Sequence, residues 1–263
     1  MTAKSSTASA TAPQPGSERL ITVASGKGGV GKTWLAITLA HALARAGRRT
    51  LLFDGDIGLA NIDIQLGLMV ERDLGSVAAG RISLAQAISN FAGGGFDVIA
   101  GKSGSGALGM LSTERLAELR HDLVSLANDY DRVVLDLGAG IDGAVRTMAG
   151  GDGTILVVIT DEPTAITDAY AFIKVTAMRH PGIDLRIVVN MASTAAEGRR
   201  TFDALKKACE SFLKISPPLA AIVRRDNKVR DTIRHQKPIL TRHPNSNAAE
   251  DIESLARGLV AGP

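Results

Sequence analysis

Apolar positions in this chain come in short, nearly continuous runs, separated by longer stretches in which they recur every three to four residues. The runs are Leu20 to Ala24, Thr50 to Phe53, Phe96 to Ala100, Arg132 to Leu137, Thr154 to Ile159, Leu185 to Val189 and Leu219 to Val223. Continuity rather than alternation predicts strands covered on both faces. Helical spacing fills the intervals, over Thr33 to Ala46, Glu114 to Asn128, Thr164 to Arg179 and Glu197 to Leu213. A last stretch, Asn247 to Val260, sets Ala248, Ile252, Leu255 and Leu259 on one face. The alternation predicts an α/β fold: a mostly parallel, twisted sheet with right-handed crossovers and helices on both faces. Ligands in such sheets sit beyond the carboxyl ends of the strands, so chemistry is expected in the residues that follow each run.

Behind the first run, Ser25 to Thr33 read SGKGGVGKT, in which Gly26, Gly31, Lys32 and Thr33 complete the phosphate-binding pattern G-x-x-x-x-G-K-[ST]. Glycines 26, 28, 29 and 31 allow the backbone N–H groups to turn onto a polyphosphate, where side chains would block approach or forbid positive φ. The expected binding segment is Gly26, Lys27, Gly28, Gly29, Val30, Gly31, Lys32, Thr33 and Trp34. Lys32 is expected to reach the β- and γ-phosphates, the Thr33 hydroxyl to meet Mg²⁺, and the following helix to add its dipole. The pattern therefore predicts a P-loop NTPase using ATP and Mg²⁺. Lys27 is a second lysine that this pattern does not need. By itself it reads as a solvated loop residue.

GKGGVGKT resembles the deviant Walker A loop of the MinD/ParA family of ATPases, and the resemblance extends from residue 20 to about 245. It implies that Lys27 crosses a dimer interface to the partner's nucleotide phosphates, so that nucleotide state becomes oligomeric state. The segment DGDIGLANIDIQLGL after the second strand is, from its residues alone, either a carboxylate loop beside a phosphate site or an Asp-Gly turn with capping side chains. It resembles the family's switch I, which implies that Asp56 positions the attacking water and that Asp54 supports the magnesium site, with Asn61 on the same loop. Asp136 ends the strand RVVLDLGAG as a Walker B carboxylate does. Gly138 and Gly140 predict a mobile switch II beyond it. The family often has another small residue or proline where Gly138 stands. Asp152, in Gly-Asp-Gly, reads as a turn residue. Asn190, ending the strand IVVN, is either the family's adenine-contacting asparagine or a cap for the next helix. Arg224-Arg-Asp226 resembles the family's second base-contacting loop.

The segment TDEPTAITDAYAFIKV, from Thr160, resembles the flagellar members of the family, FlhG or FleN, more than the division-site MinD proteins. This implies an ATP-dependent homodimer whose partner is a flagellar transcriptional activator or targeting GTPase. Asp168 is either a partner contact or simply exposed. Residues 1 to 18 contain no Asp-Gln-Ala motif of the kind that activates the targeting GTPase. Direct membrane binding is not expected either, because Asn247 to Val260 has Arg257 as its only base and reads as a docked helix. Arg224, Arg225, Lys228, Arg230, Arg234, Lys237 and Arg242, with Arg199, Arg200, Lys206 and Lys207, offer a rival reading: non-specific DNA binding in the manner of ParA, against a solvated basic face. A nucleotide-sensing scaffold without turnover is a third class, opposed by the presence of Lys32, Asp56 and Asp136.

Composition narrows these readings further. The chain has 263 residues, 45% of them hydrophobic, and a net charge of only +3. The unbroken alternation predicts one domain over 19–263, preceded by a flexible Ser/Thr/Ala/Pro-rich tail over 1–18; a transit peptide is disfavoured because no arginine precedes Arg19. Cys209 is the single cysteine, which rules out an intrachain disulfide and the cysteine clusters of iron–sulfur relatives, and predicts a cytoplasmic protein. With Tyr130 and Tyr170 as its two tyrosines, the chain lacks the tail of the related tyrosine kinases. The five histidines show no metal-ligand spacing.

Overall fold

The computed structural model describes residues 15–56, 60–103 and 111–261. Eight strands form one sheet: β1 (Leu20–Ser25), β2 (Thr50–Gly55), β3 (Ser89–Phe91), β4 (Phe96–Ile99), β5 (Arg132–Ala139), β6 (Thr154–Ile159), β7 (Asp184–Ala192) and β8 (Leu219–Arg224). Their order is β3-β4-β2-β5-β1-β6-β7-β8. Every pairing is parallel except β3 with β4. The seven apolar runs account for seven strands. Strand β3 was not expected, because Ser-Asn-Phe is short and half-exposed and carries no apolar run. It forms because the turn at Gly94 and Gly95, whose amides both donate to the Phe91 carbonyl, folds it back on β4.

Helices α1 (Lys32–Arg45), α4 (Thr113–Leu126), α6 (Pro163–Arg179) and α7 (Ala195–Ala208) occupy the expected intervals, and α10 spans the expected Asn247–Val260. The stretch after Ala208 changes to a π-helical turn, Cys209–Leu213. Five further helices went unread: α2 (Ile62–Leu66), α3 (Leu74–Ala78), α5 (Gly143–Ala149), α8 (Asn227–Arg234) and α9 (Ile239–Arg242). They are too short to display a period, and three of them are set by caps. Asp73 accepts from the Ser76 amide (2.7 Å), Asp142 from Val145 (2.8 Å) and Asp226 from Lys228 (2.9 Å).

Each strand divides its residues between two cores. Val133, Leu135 and Leu137 face the layer of α4, α5, α6 and α7, while Val134 faces the layer of α1 and α10. Ile252, Ala248 and Ala249 of α10 are fully buried, so the terminal helix is docked on the body as expected. The last residues of the expected 1–18 tail are folded onto the body. Ser17 is fully buried, and Ser17–Arg19 form a 3-10 turn; the earlier part of that tail lies outside the described residues. Among the described residues, no helix is long and apolar enough to cross a membrane.

Candidate nucleotide site

Strand β1 feeds directly into the glycine loop, and the Ser25 hydroxyl bends it by donating to the Lys27 carbonyl (2.6 Å). Gly29 (φ 80°) and Gly31 (φ 87°) are left-handed, which any side chain resists. Gly26 is required for a different reason: a Cβ there would stand 2.2 Å from the backbone carbonyl of Asp168, so α6 lies flush against the start of the loop. Gly28 has no such constraint, since a Cβ there would meet nothing within 4 Å. Only an approaching ligand or partner gives it a reason to be small. Helix α1 starts at Lys32, aiming its first amides at the concave side of the loop.

Beyond the ends of β2 and β5, carboxylates crowd together. Asp54 and Asp136 are register partners, each 1% exposed. Asp54 accepts weakly from the amides of Ile62 and Asp56, both at 3.3 Å. Burial pushes its carboxyl up to about 7. Burial, with the charge of Asp54 beside it, pushes Asp136 up to about 8, opposed by a bond from the Thr33 hydroxyl and by Lys32. Lys32 is itself buried, and its ammonium is drawn down by desolvation and held up by Asp136 and Asp56. Asp56 stands over Gly138, where a Cβ would come within 3.1 Å of its Oδ1. Oδ1 of Asp136 is buried without a hydrogen-bond partner. Such an orphaned acceptor among repelling carboxylates, beside a threonine hydroxyl, fits a hydrated divalent cation. Among the described residues no cluster of three His, Cys, Asp or Glu forms a complete metal cage.

Other expected residues have partners of their own, some at the loop and some away from it. Gly138 and Ala139 continue β5, Ala139 in register with Ser25, and the Gly140 amide donates to the Ser25 carbonyl (3.0 Å); the expected mobile loop therefore begins two residues later than predicted. Within the expected switch I, Ile57, Gly58 and Leu59 lie outside the described residues, while Asn61 stands at the N-cap position of α2. Asp152 occupies the turn before β6, at the opposite end of the sheet. Trp34 is 7% exposed and packs its indole into the core between α1, α2 and α9, so only its backbone can serve a ligand. Asn190 neither caps a helix nor lies open. Its Nδ2 donates to the Val30 carbonyl (2.8 Å), its Oδ1 accepts from the Met191 amide (2.9 Å), and Thr194 caps α7 instead. Asp226 caps α8, and Arg224 is bound to Asp251 (2.8 Å) on α10. The basic cluster is correspondingly smaller than its sequence suggests, since Arg242 also pairs with Asp231 (2.5 Å). Cys209 is buried and its thiol is pushed up to about 11, which makes it inert.

Lys27 points away from the carboxylates. Its ammonium is paired with Glu162 and donates to the Thr164 hydroxyl (2.7 Å), both at the start of α6. Both residues lie in the segment singled out from Thr160, but their pairing with Lys27 was not legible, because the contacts span 135 and 137 residues.

A phosphate loop at the end of the first strand of a parallel sheet, with a buried lysine, threonine and paired aspartates around it, defines a P-loop nucleotide-binding protein. The chain belongs to the CobQ/CobB/MinD/ParA nucleotide-binding family, which matches residues 21–239. It is 35% identical over 245 residues to the antiactivator FleN of Pseudomonas aeruginosa, covering 93% of this chain and 87% of that protein. It is 29% identical to the flagellum site-determining protein YlxH of Helicobacter pylori, with 94% and 83% covered. Among solved structures, the septum site-determining protein MinD of Pyrococcus horikoshii, complexed with Mg-ADP, superposes with a TM-score of 0.77 at 25% identity, covering 93% of this chain and 97% of that one.

Proposed function

We propose that the protein is a Mg²⁺-dependent ATPase that dimerises on ATP and regulates the number or placement of flagella. The observation that carries the reading is the division of labour within one loop. Lys32 and Thr33 converge with Asp56 and Asp136, whereas Lys27 is one-third exposed outside that cluster. A lysine held outside its own carboxylate cluster suits the phosphates of a facing subunit. Thr33, Asp136 and Asp54 would hold Mg²⁺, which when bound neutralises charge on the phosphate oxygens. Lys32 and the loop amides bind and orient the polyphosphate, and Asp56 accepts a hydrogen bond from the attacking water. With one carboxylate to orient water and a partner needed to complete the charge, turnover is slow until a second protein orders the switches.

The flagellar branch is supported by the names of the two relatives, FleN and YlxH, and by the TDEPTAITDAY segment at the start of α6. The partner expected is a flagellar transcriptional activator or targeting GTPase, and the location cytoplasmic. ParA-like DNA binding has a narrower basis: Arg225, Lys228, Arg230, Arg234 and Lys237 are exposed and form no ion pair among the described residues.

Light scattering of wild type and Lys27→Ala with ATP or ADP tests the dimer. ATP should double the mass of the wild type and leave the variant monomeric, with nucleotide affinity retained. A variant that dimerises and turns over normally would refute the mechanism.

A further inference from the structure

Arg120, in the middle of α4, is 8% exposed, and its Nη1 and Nη2 are buried without a hydrogen-bond partner among the described residues. A guanidinium stays protonated in a folded protein, so this charge is not relieved by losing its proton. A buried charge is tolerated where something of opposite sign meets it. We propose that Arg120 and His180 form a site for a small oxyanion of the phosphate type, at the end of the sheet opposite the nucleotide loop.

The surroundings of Arg120 are built to hold it in place. Helix α5 ends at Gly150, and the turn Gly-Gly-Asp-Gly over 150–153 leads from there into β6. A Cβ at Gly150 would stand 2.1 Å from Nε of Arg120, and one at Gly151 would stand 2.4 Å from Nδ1 of His180. Any side chain at either position would evict a donor, whereas glycine lets the guanidinium and the imidazole lie flat on the same turn. His180 comes from the end of α6 and is half-buried. Three separate elements therefore bring two nitrogen donors to one place. Asp152 acts on both of them electrostatically, yet it forms no ion pair with either among the described residues.

The donors select the ligand. Nη1 and Nη2 present a planar fork that matches two oxygens of one anion, and the imidazole offers a third N–H. With so little of the guanidinium open to solvent, the ligand is a free ion of phosphate size rather than a phosphate esterified to a chain. The site also has a place in the molecule's workings. Helix α5 (Gly143–Ala149) joins the segment beyond Gly140, the expected switch II, to this turn, so an ion here pins the far end of α5.

Thermal melting of the full chain, free of nucleotide and Mg²⁺, across a series of inorganic phosphate concentrations tests the site, with ionic strength held constant by sodium chloride. Because the glycine loop also attracts phosphate, the series is run on Lys32→Ala protein as well as wild type. Both should gain about 3 °C by ~20 mM phosphate, as expected for millimolar affinity. Adding Arg120→Met to Lys32→Ala should abolish the gain. Without phosphate, Arg120→Met should melt no lower than wild type, since an unpaired buried charge gives way to an apolar side chain of similar length. Asp152→Asn keeps Arg120 and should enlarge the gain by removing a repelling carboxylate. A gain that survives Arg120→Met, or that chloride alone reproduces, overturns the site. So does an Asp152→Asn protein that melts lower and responds to phosphate no more than before, because Asp152 would then be the structural partner of Arg120.

Discussion

Lys27 and Lys32 share a loop and end in opposite environments, one paired at the surface with Glu162, the other buried between Asp56 and Asp136. Their substitutions should therefore separate. Lys32→Ala should abolish nucleotide binding measured by calorimetry, whereas Lys27→Ala should bind nucleotide and lose only the dimer. Asp56→Ala should trap the ATP-bound dimer, seen as a mass that no longer reverts on incubation. His41 offers a residue-scale test of the core. Burial, with Arg45 one turn away, pulls its imidazole down to about 4. A depressed folded value means the stability from neutral His41 is present above the ordinary 6.5 and lost as pH falls toward 4. His41→Leu should flatten the fall in denaturation midpoint over that window, by roughly 1–2 kcal/mol after allowance for partial solvation.

At the scale of elements, the glycine loop and α6 behave as one unit. Gly26→Ala would force the loop off the Asp168 carbonyl at 2.2 Å, so it should lower both melting temperature and ATP affinity even though no phosphate-binding side chain changes. The terminal helix α10 is held by apolar burial. Ile252→Ala, at a fully buried position, should cost about 2–4 kcal/mol in urea unfolding and leave nucleotide affinity nearly intact. These elements differ in how readable they were. The long helices declared themselves by period and the apolar strands by continuous runs, and α10 did so to the residue. Strand β3, α8 and α9 did not, because their formation depends on a turn, a cap or a neighbour rather than on a repeat in their own residues.

For the whole molecule, the cost of assembling Asp54 and Asp136 without a cation is global. Raised folded values make the contribution of these two carboxyls to stability largest at low pH and progressively lost as pH rises through about 7 and 8. Metal-free protein should therefore melt lower at pH 9 than at pH 6.5, above the His41 window. Mg-ATP should raise the midpoint most at the alkaline end, and EDTA should reverse the gain. Capture from cell extract with Asp56→Ala protein, ATP against ADP, tests the partner at the same scale. Flagellar components in the ATP fraction alone are expected; chromosomal DNA that leaves steeply with salt would favour the ParA reading instead.

The amino-acid sequence by itself determined the layered α/β architecture and the phosphate loop, because each is written locally: a buried strand is a run and a phosphate loop is a set of glycines before a lysine. Only the tertiary structure decided what those residues meet. It turned Asn190 inward onto Val30, gave Asp226 to the cap of α8 and Arg224 to Asp251, buried the Trp34 indole and set Lys27 against Glu162. Each of those outcomes depends on a partner distant in the chain, and a side chain's free valences can be counted only after the fold has chosen which neighbours will occupy them.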